Sequence, residues 1–331
     1  MRTTIRLALA PLLLPLLLLV SCGESNSPTL TTTESHPPQA SPQQPESRPQ
    51  IALVMKTLTN PFFVAMEQGA RRAERELTIQ LHVKTAAQET SIEQQIQIVL
   101  DLIQQQIDAI VIAPGDSQRL IPVLKQAADQ GVVIVNIDNR LDAAQIAASG
   151  MAPIPFISVD NQQAAYQSAK YIADQVTEPT QAAILEGIRS ANNAHQRMLG
   201  AKRAFADNPL VSLVASESAN WKIDEGYEVT KRLFADHPEI KLLFAANDMM
   251  ALGAITWLQE SGLTEVKVAA YDALEEAITE IRQGRLAATV DQQAAEQGYQ
   301  GIKLAVQRLQ GEPVANEVMI ETRLLTSHTL P

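Results

Sequence analysis

Cysteine is almost absent: the single thiol in 331 residues, Cys22, excludes an internal disulfide. Aromatic residues make up only 4% of the chain, with six Phe, two Trp and five Tyr. Positive charge is also in deficit, 26 Lys and Arg against 37 Asp and Glu, a balance of −11 that would repel a phosphate backbone. No basic run interrupts it, so nucleic acid is not an expected partner. The five histidines, His36, His82, His195, His237 and His328, are scattered without metal-ligand spacing. There is no G-x-S-x-G elbow, no Walker A loop and no G-x-G-x-x-G after the first apolar strand. Catalysis, a metal and a cofactor are therefore not expected.

What is present begins with a segment that is not fold. MRTTIRLALAPLLLPLLLLVSCGES carries Arg2 and Arg6, then an apolar stretch from Leu7 to Val20 broken by two prolines. That stretch is too short and too interrupted to favour a membrane-spanning helix and suits an export signal. Its end, Leu19-Val20-Ser21-Cys22, resembles a bacterial lipobox, which implies that Cys22 is lipidated and becomes the new N-terminus. Residues 23–49 are Ser, Thr, Pro and Gln with little to bury, the composition of a flexible tether. The expected order is signal and anchor over 1–22, tether over 23–49, and a soluble body from about residue 50.

From Gln50 short Val- and Ile-rich runs alternate with longer helical stretches. IALVMKT, LHVKTAA, AIVIAP and VVIVNID read as buried strands. Helices with one apolar face separate them, as at Ile92, Ile96, Val99 and Ile103. FISVD at 156–160 opens a second such series, closing with LAATVDQ, a last helix and a last strand, EVMIETRLL. Roughly ten strands are too many for one comfortable doubly wound sheet. The pattern predicts an α/β protein of two Rossmann-like parallel-sheet lobes facing each other.

Open parallel sheets bind ligands beyond the carboxyl ends of their strands. Taken strand by strand, the positions beyond those ends hold Asn60, Phe62 and Phe63, then Asp138-Asn139-Arg140, Arg197, Asn220-Trp221, Asn247-Asp248, Asp272 and Asp291-Gln292. Singly, each has a bland role: Asn60 and Asn247 as helix caps, Asp138 and Asp272 as turn formers, Arg197 as a solvated helix residue. Together they are carboxylates, amides, a guanidinium and aromatic faces at equivalent strand ends. That set suits a sugar: carboxylates accept from neighbouring hydroxyls, Arg and amides donate, and a ring covers the apolar C–H face. Two adjacent Phe in one first helical turn cannot both serve one core, and a binding cleft would use both.

TLTNPFFVAMEQGA, VNIDN, AHQRMLGAKRAF, FAANDMMALGA, VAAYDA and LAATVDQ, in that order, resemble the ribose-type periplasmic sugar-binding proteins of bacterial ABC importers. The resemblance implies two lobes joined by three crossing strands, closing over one monosaccharide. Lobe one would hold about 50–156 and 293–319, and lobe two about 157–292 and 320–331. It implies ligand contacts from Asn60, Phe62, Phe63, Asp138 and Asn139 in lobe one. Arg197, Trp221, Asn247, Asp272 and Gln292 would supply them in lobe two. Asn139 stands where the ribose binder has Arg, and Trp221 where it has Phe, which leaves a hexose or another polyol as open as ribose.

The leading expectation is a lipid-anchored, monomeric binding protein of the periplasm or cell envelope, handing a pentose or hexose to an ABC permease and its ATPase. The alternative is a receptor of the same fold that hands a sugar or furanosyl signal to a membrane kinase or chemoreceptor. A transcription regulator of related core would need a DNA-binding helix-turn-helix where this chain has a signal and tether. The stretch 141–155 carries no functional reading.

Overall fold

The computed structural model describes residues 48–330; the signal, Cys22 and the tether as far as residue 47 lie outside these residues. Among the described residues are twelve strands and ten helices, and no helix is long and apolar enough to cross a membrane.

The first sheet contains β1 (Gln50–Met55), β2 (Gln80–Thr85), β3 (Ala109–Ile112), β4 (Val133–Ile137), β5 (Phe156–Ser158) and β11 (Glu317–Met319). Its order is β11-β5-β4-β3-β1-β2 and every pairing is parallel. In β1, Ile51 to Met55 are fully buried. Ile51, Leu53 and Met55 join one apolar cluster, while Ala52 and Val54 join the other. Both faces are covered, so the strand is an unbroken apolar run rather than an alternating one. The first cluster includes side chains of α1 (Pro61–Leu77) and α10 (Ala294–Leu309); the second includes α2 (Ile92–Gln104) and α3 (Ile121–Asp129).

Helix α1 starts where its sequence dictates. Asn60 is extended, its side chain accepts from the Phe62 N–H at 3.0 Å, and Pro61 occupies the first turn, where its missing N–H costs nothing. Helices α1 and α10 pack backbone to backbone. A Cβ on Gly69 would lie 1.7 Å from the Ala295 carbonyl oxygen, and one on Gly298 2.1 Å from that of Met66.

The second sheet contains β6 (Thr180–Glu186), β7 (Val211–Ser218), β8 (Ile240–Ala245), β9 (Lys267–Ala269), β10 (Ala288–Asp291) and β12 (Arg323–Thr326). Its order is β12-β10-β9-β8-β6-β7, parallel except that β12 runs antiparallel to β10. Helices α5 (Asn161–Ala173), α6 (Asn192–Ala206), α7 (Ile223–Asp236), α8 (Asp248–Glu260) and α9 (Glu275–Arg282) accompany it. The chain passes between the sheets three times: after β5, after β10, and between β11 and β12.

Two expectations are corrected. FISVD does not open the second series: its strand, β5, pairs with β4 and β11 and completes the first sheet. EVMIETRLL is not one strand, because residues 320–322 leave one sheet for the other and divide it into β11 and β12. The break falls at the polar run Glu321-Thr322-Arg323, which the single-strand reading passed over. The stretch 141–155 includes the short helix α4 (Ala143–Ala148), capped by Asp142, whose carboxylate accepts from the Gln145 N–H at 3.0 Å.

Candidate functional site

A cleft lies between the carboxyl ends of the two sets of strands. Lobe one lines it with Lys56, Asn60, Phe62, Phe63, Glu89 and Asp138; lobe two lines it with Asn193, Arg197, Trp221, Asn247, Asp272 and Gln292. Nine of the ten residues that the resemblance implies as ligand contacts line this cleft.

In lobe one the two phenylalanines meet edge to face, centroids 5.1 Å apart at 81°; both are buried in the first apolar cluster, so two adjacent rings do share one core, against the expectation, while also lining the cleft. Beside them Lys56 Nζ lies 2.7 Å from Asp138 Oδ2, 4.0 Å from Glu89 Oε2 and 5.5 Å from the Phe63 centroid. Asn60 uses both ends of its amide: the oxygen caps α1, and Nδ2 donates to Glu89 Oε1 at 2.9 Å. Burial pushes the Glu89 carboxyl above its usual range, with Lys56 and Asn60 opposing.

In lobe two Arg197 organises the wall. Its Nε donates to Asn161 Oδ1 at 2.8 Å and its Nη1 to the Ala246 carbonyl at 2.9 Å. Nη1 also lies 3.4 Å from Asp272 Oδ1, and Nη2 donates to Gln292 Oε1 at 3.2 Å. The guanidinium stacks over Tyr271 at 3.8 Å and lies 5.4 Å from the Trp221 ring. Gln292 Nε2 donates to Asp272 Oδ1 at 2.6 Å. Asn247 caps α8 by accepting from the Met250 N–H at 2.9 Å and donates to the Trp221 carbonyl at 3.3 Å. Asp272 is pushed up to about 7 by burial, against the pull of Arg197 and Gln292. Behind it, burial and the Asp272 charge hold Asp248 well above the carboxylate range. Asp248 is fastened by Thr289 Oγ1 at 2.7 Å and the Leu274 N–H at 2.8 Å.

The lobes also touch directly. Asn193 Nδ2 donates to Asp138 Oδ1 at 3.2 Å, and the Ser117 N–H donates to the Ser190 carbonyl at 3.1 Å. Asn139 is the correction to the expected set. Asp138 has a left-handed backbone, φ 61°, and the chain turns so that the next side chain leaves the cleft. Asn139 Nδ2 donates to the Pro114 carbonyl at 3.0 Å, and its Oδ1 accepts from the Asn193 N–H at 3.2 Å. Its neighbour Arg140 lies over the Phe156 ring at 4.0 Å and pairs with Glu317 at 2.6 Å, away from the cleft.

Lys56, Glu89 and Asn193 escaped the sequence reading. Lys56 carried a signal, the lone charge ending an apolar strand. Asn193 carried another, standing one helical turn before Arg197 on the same face. Glu89 had only its place after β2.

Two cations and three carboxylates thus crowd a buried wall beside three aromatic rings. Asn193 Oδ1 and Trp221 Nε1 are buried there without a protein partner. Groups like these cost stability unless hydrogen-bonded, and a molecule rich in hydroxyls can both donate and accept. No cluster of His, Cys, Asp and Glu among the described residues has metal-binding geometry.

The profile of the periplasmic binding protein domain matches residues 51–313. The D-ribose/D-allose-binding protein of Pseudomonas aeruginosa is 39% identical over 273 residues, 82% of this chain and 85% of that one. The D-allose-binding periplasmic protein of Escherichia coli is 30% identical over 259 residues, 78% of this chain and 83% of that one. The crystal structure of an ABC transporter periplasmic solute-binding protein from Actinobacillus succinogenes with bound D-allose superposes with a TM-score of 0.80 at 36% identity. That match covers 85% of this chain and 98% of that one. The chain belongs to the periplasmic binding protein family, as a solute-binding protein and not an enzyme.

Proposed function

We propose that this protein captures one aldose of the ribose and allose class between its lobes and delivers it to an ABC permease. The observation that carries the reading is the composition of the cleft. Phe62 and Phe63 on one side and Trp221 on the other flank Asp138, Asp272, Arg197, Asn247 and Gln292, with two buried polar atoms still lacking partners. Rings cover the C–H faces of a pyranose while the carboxylates and amides hold its hydroxyls. Asn60, Asn193 and Lys56 complete the set we assign to the ligand. Relatives named for D-ribose and D-allose import support the sugar class.

In this reading lobe one is 50–156 with 293–319 and lobe two is 157–292 with 320–331. The protein is exported, cleaved before Cys22, lipidated there and held to a membrane of the cell envelope through the tether 23–49. Its work is that of a monomer that closes on its ligand.

Calorimetric titration of the purified protein with D-ribose, D-allose, D-arabinose and myo-inositol tests the capture step. Saturable binding of an aldose, abolished in Asp138→Ala, is the expected result. No binding of any of these at millimolar concentration would overturn the sugar assignment. Metabolic labelling with a palmitate analogue, compared between the native chain and Cys22→Ser, tests the anchor.

A further inference from the structure

The Trp221 wall has a backing that side chains alone do not reveal. Trp221 follows β7 and Gly187 follows β6, the strand beside it, with Glu186 opposite Ser218 at their ends. A Cβ on Gly187 would lie 2.0 Å from Trp221 Cζ2 and 2.2 Å from both Cε2 and Cη2. Carbon atoms in contact sit at about 3.5–4.0 Å, so the indole rests on bare backbone at Gly187. Retreat along the chain is closed to it. Asn220 and Trp221 are both left-handed, φ 49° and 68°. Asn220 Nδ2 donates to Glu225 at 2.7 Å, and the Trp221 carbonyl is held by Asn247. Ser218 Oγ donates to the Gly187 carbonyl at 2.6 Å, fixing the two strand ends to each other. An indole pushed off Gly187 therefore moves into the cleft.

We propose that Gly187 is a specificity-determining residue: its missing side chain lets Trp221 lie back and sets the width of the slot for the ligand ring. This rests on the sugar-binding reading. Narrowing the slot penalises a hexose more than a pentose, since the hexose brings one more carbon and hydroxyl. Differences of this size in a packed pocket are worth about 10–200-fold.

The test uses Trp257→Phe as the parent, which leaves Trp221 the sole tryptophan of the two. Gly187→Ala, Trp221→Phe and the double variant Gly187→Ala/Trp221→Phe are made in it and titrated with D-allose and D-ribose. The expected result is a shifted Trp221 emission in Gly187→Ala and a D-allose affinity that falls at least about tenfold further than that for D-ribose. The smaller ring of the double variant restores D-allose to within about threefold of Trp221→Phe alone. Unmoved emission with unmoved affinities overturns the proposal. So does an equal loss for both sugars that the double variant fails to repair, the mark of a general structural defect. If the parent binds neither sugar, the sugar reading fails by itself. The emission then decides whether Gly187 places the indole: moved, the placement stands; unmoved, it falls.

Discussion

Ser117 Oγ in lobe one accepts a hydrogen bond from the backbone N–H of Asn192 in lobe two, at 2.9 Å. That N–H belongs to the first turn of α6, whose own N-cap residue, Ala191, has no side chain able to cap it. Asn139, also from lobe one, serves the next N–H, that of Asn193. The helix carrying Arg197 is thus capped across the cleft. A cap is worth about 1 kcal/mol, near a factor of five in an equilibrium. Ser117→Ala is expected to weaken every bound sugar by about that factor while leaving their ranking unchanged. Calorimetry on two sugars checks it; a changed ranking or no change at all would refute the shared cap.

Lys56 supplies the cation for two buried carboxylates, Asp138 and Glu89. Removing one partner of a buried pair strands the other charge, a cost of about 3–5 kcal/mol. Lys56→Met should lower stability by about that much near neutral pH, measured by urea unfolding. The loss should shrink as the pH is lowered and Glu89, whose carboxyl burial already raises, takes up a proton. A loss below about 1 kcal/mol, the range of exposed pairs, would mean that water reaches the cluster.

Asp272 links the cleft to pH. Its carboxyl is raised to about 7 by burial, against about 3.9 in an unfolded chain. The folded state therefore binds the proton more tightly, and its contribution to stability in the ligand-free protein falls as pH rises between those two values. Hydroxyls donating to Asp272 favour the charged form and pull the value down, so binding below pH 7 releases a proton. Calorimetry at pH 6 in buffers of different ionisation enthalpy should detect that release, and affinity should drop as pH falls from 7 to 5. Asp272→Asn should remove the linkage; release that persists in it would assign the proton to another group.

Gly69 tests the frame rather than the site. Alanine is the better helix former by about 0.5–1 kcal/mol, but the added methyl would sit 1.7 Å from a backbone oxygen of α10. Backbone cannot step aside as a side chain does, and overpacking costs about 1–3 kcal/mol. Gly69→Ala should therefore lower the melting temperature, with no change in sugar ranking. A raised melting temperature would mean that α10 shifts freely.

Much of the site was legible because one rule served both lobes. Residues just past apolar strands meet in the cleft, which gathered Asn60, the two phenylalanines, Asp138, Trp221, Asn247, Asp272 and Gln292. Arg197 was reached by the same rule, from its place after the AAILEG strand, although it stands on a helix. Asn139 failed because adjacency in sequence says nothing about side-chain direction when Asp138 turns left-handed. Lys56, directly after β1, was read as the tail of an apolar strand and its lone charge was passed over. The hinge was least legible: the polar run Glu321-Thr322-Arg323 hints at a break, but the parting of β11 from β12 depends on which sheet edge each meets in space.

The three passages between the sheets also set an order of manufacture. Helix α10, whose Ile302 and Ala305 share a cluster with Ile51 and Leu53, and β11, the edge strand beside β5, both come after the last parallel strand of the second sheet in the chain. The lobe begun first receives its closing helix and edge strand only after all five parallel strands of the second have been made. Until its final tenth emerges, a growing chain carries a nearly complete second lobe beside a first lobe with one apolar face bare, dependent on whatever shields it in the meantime.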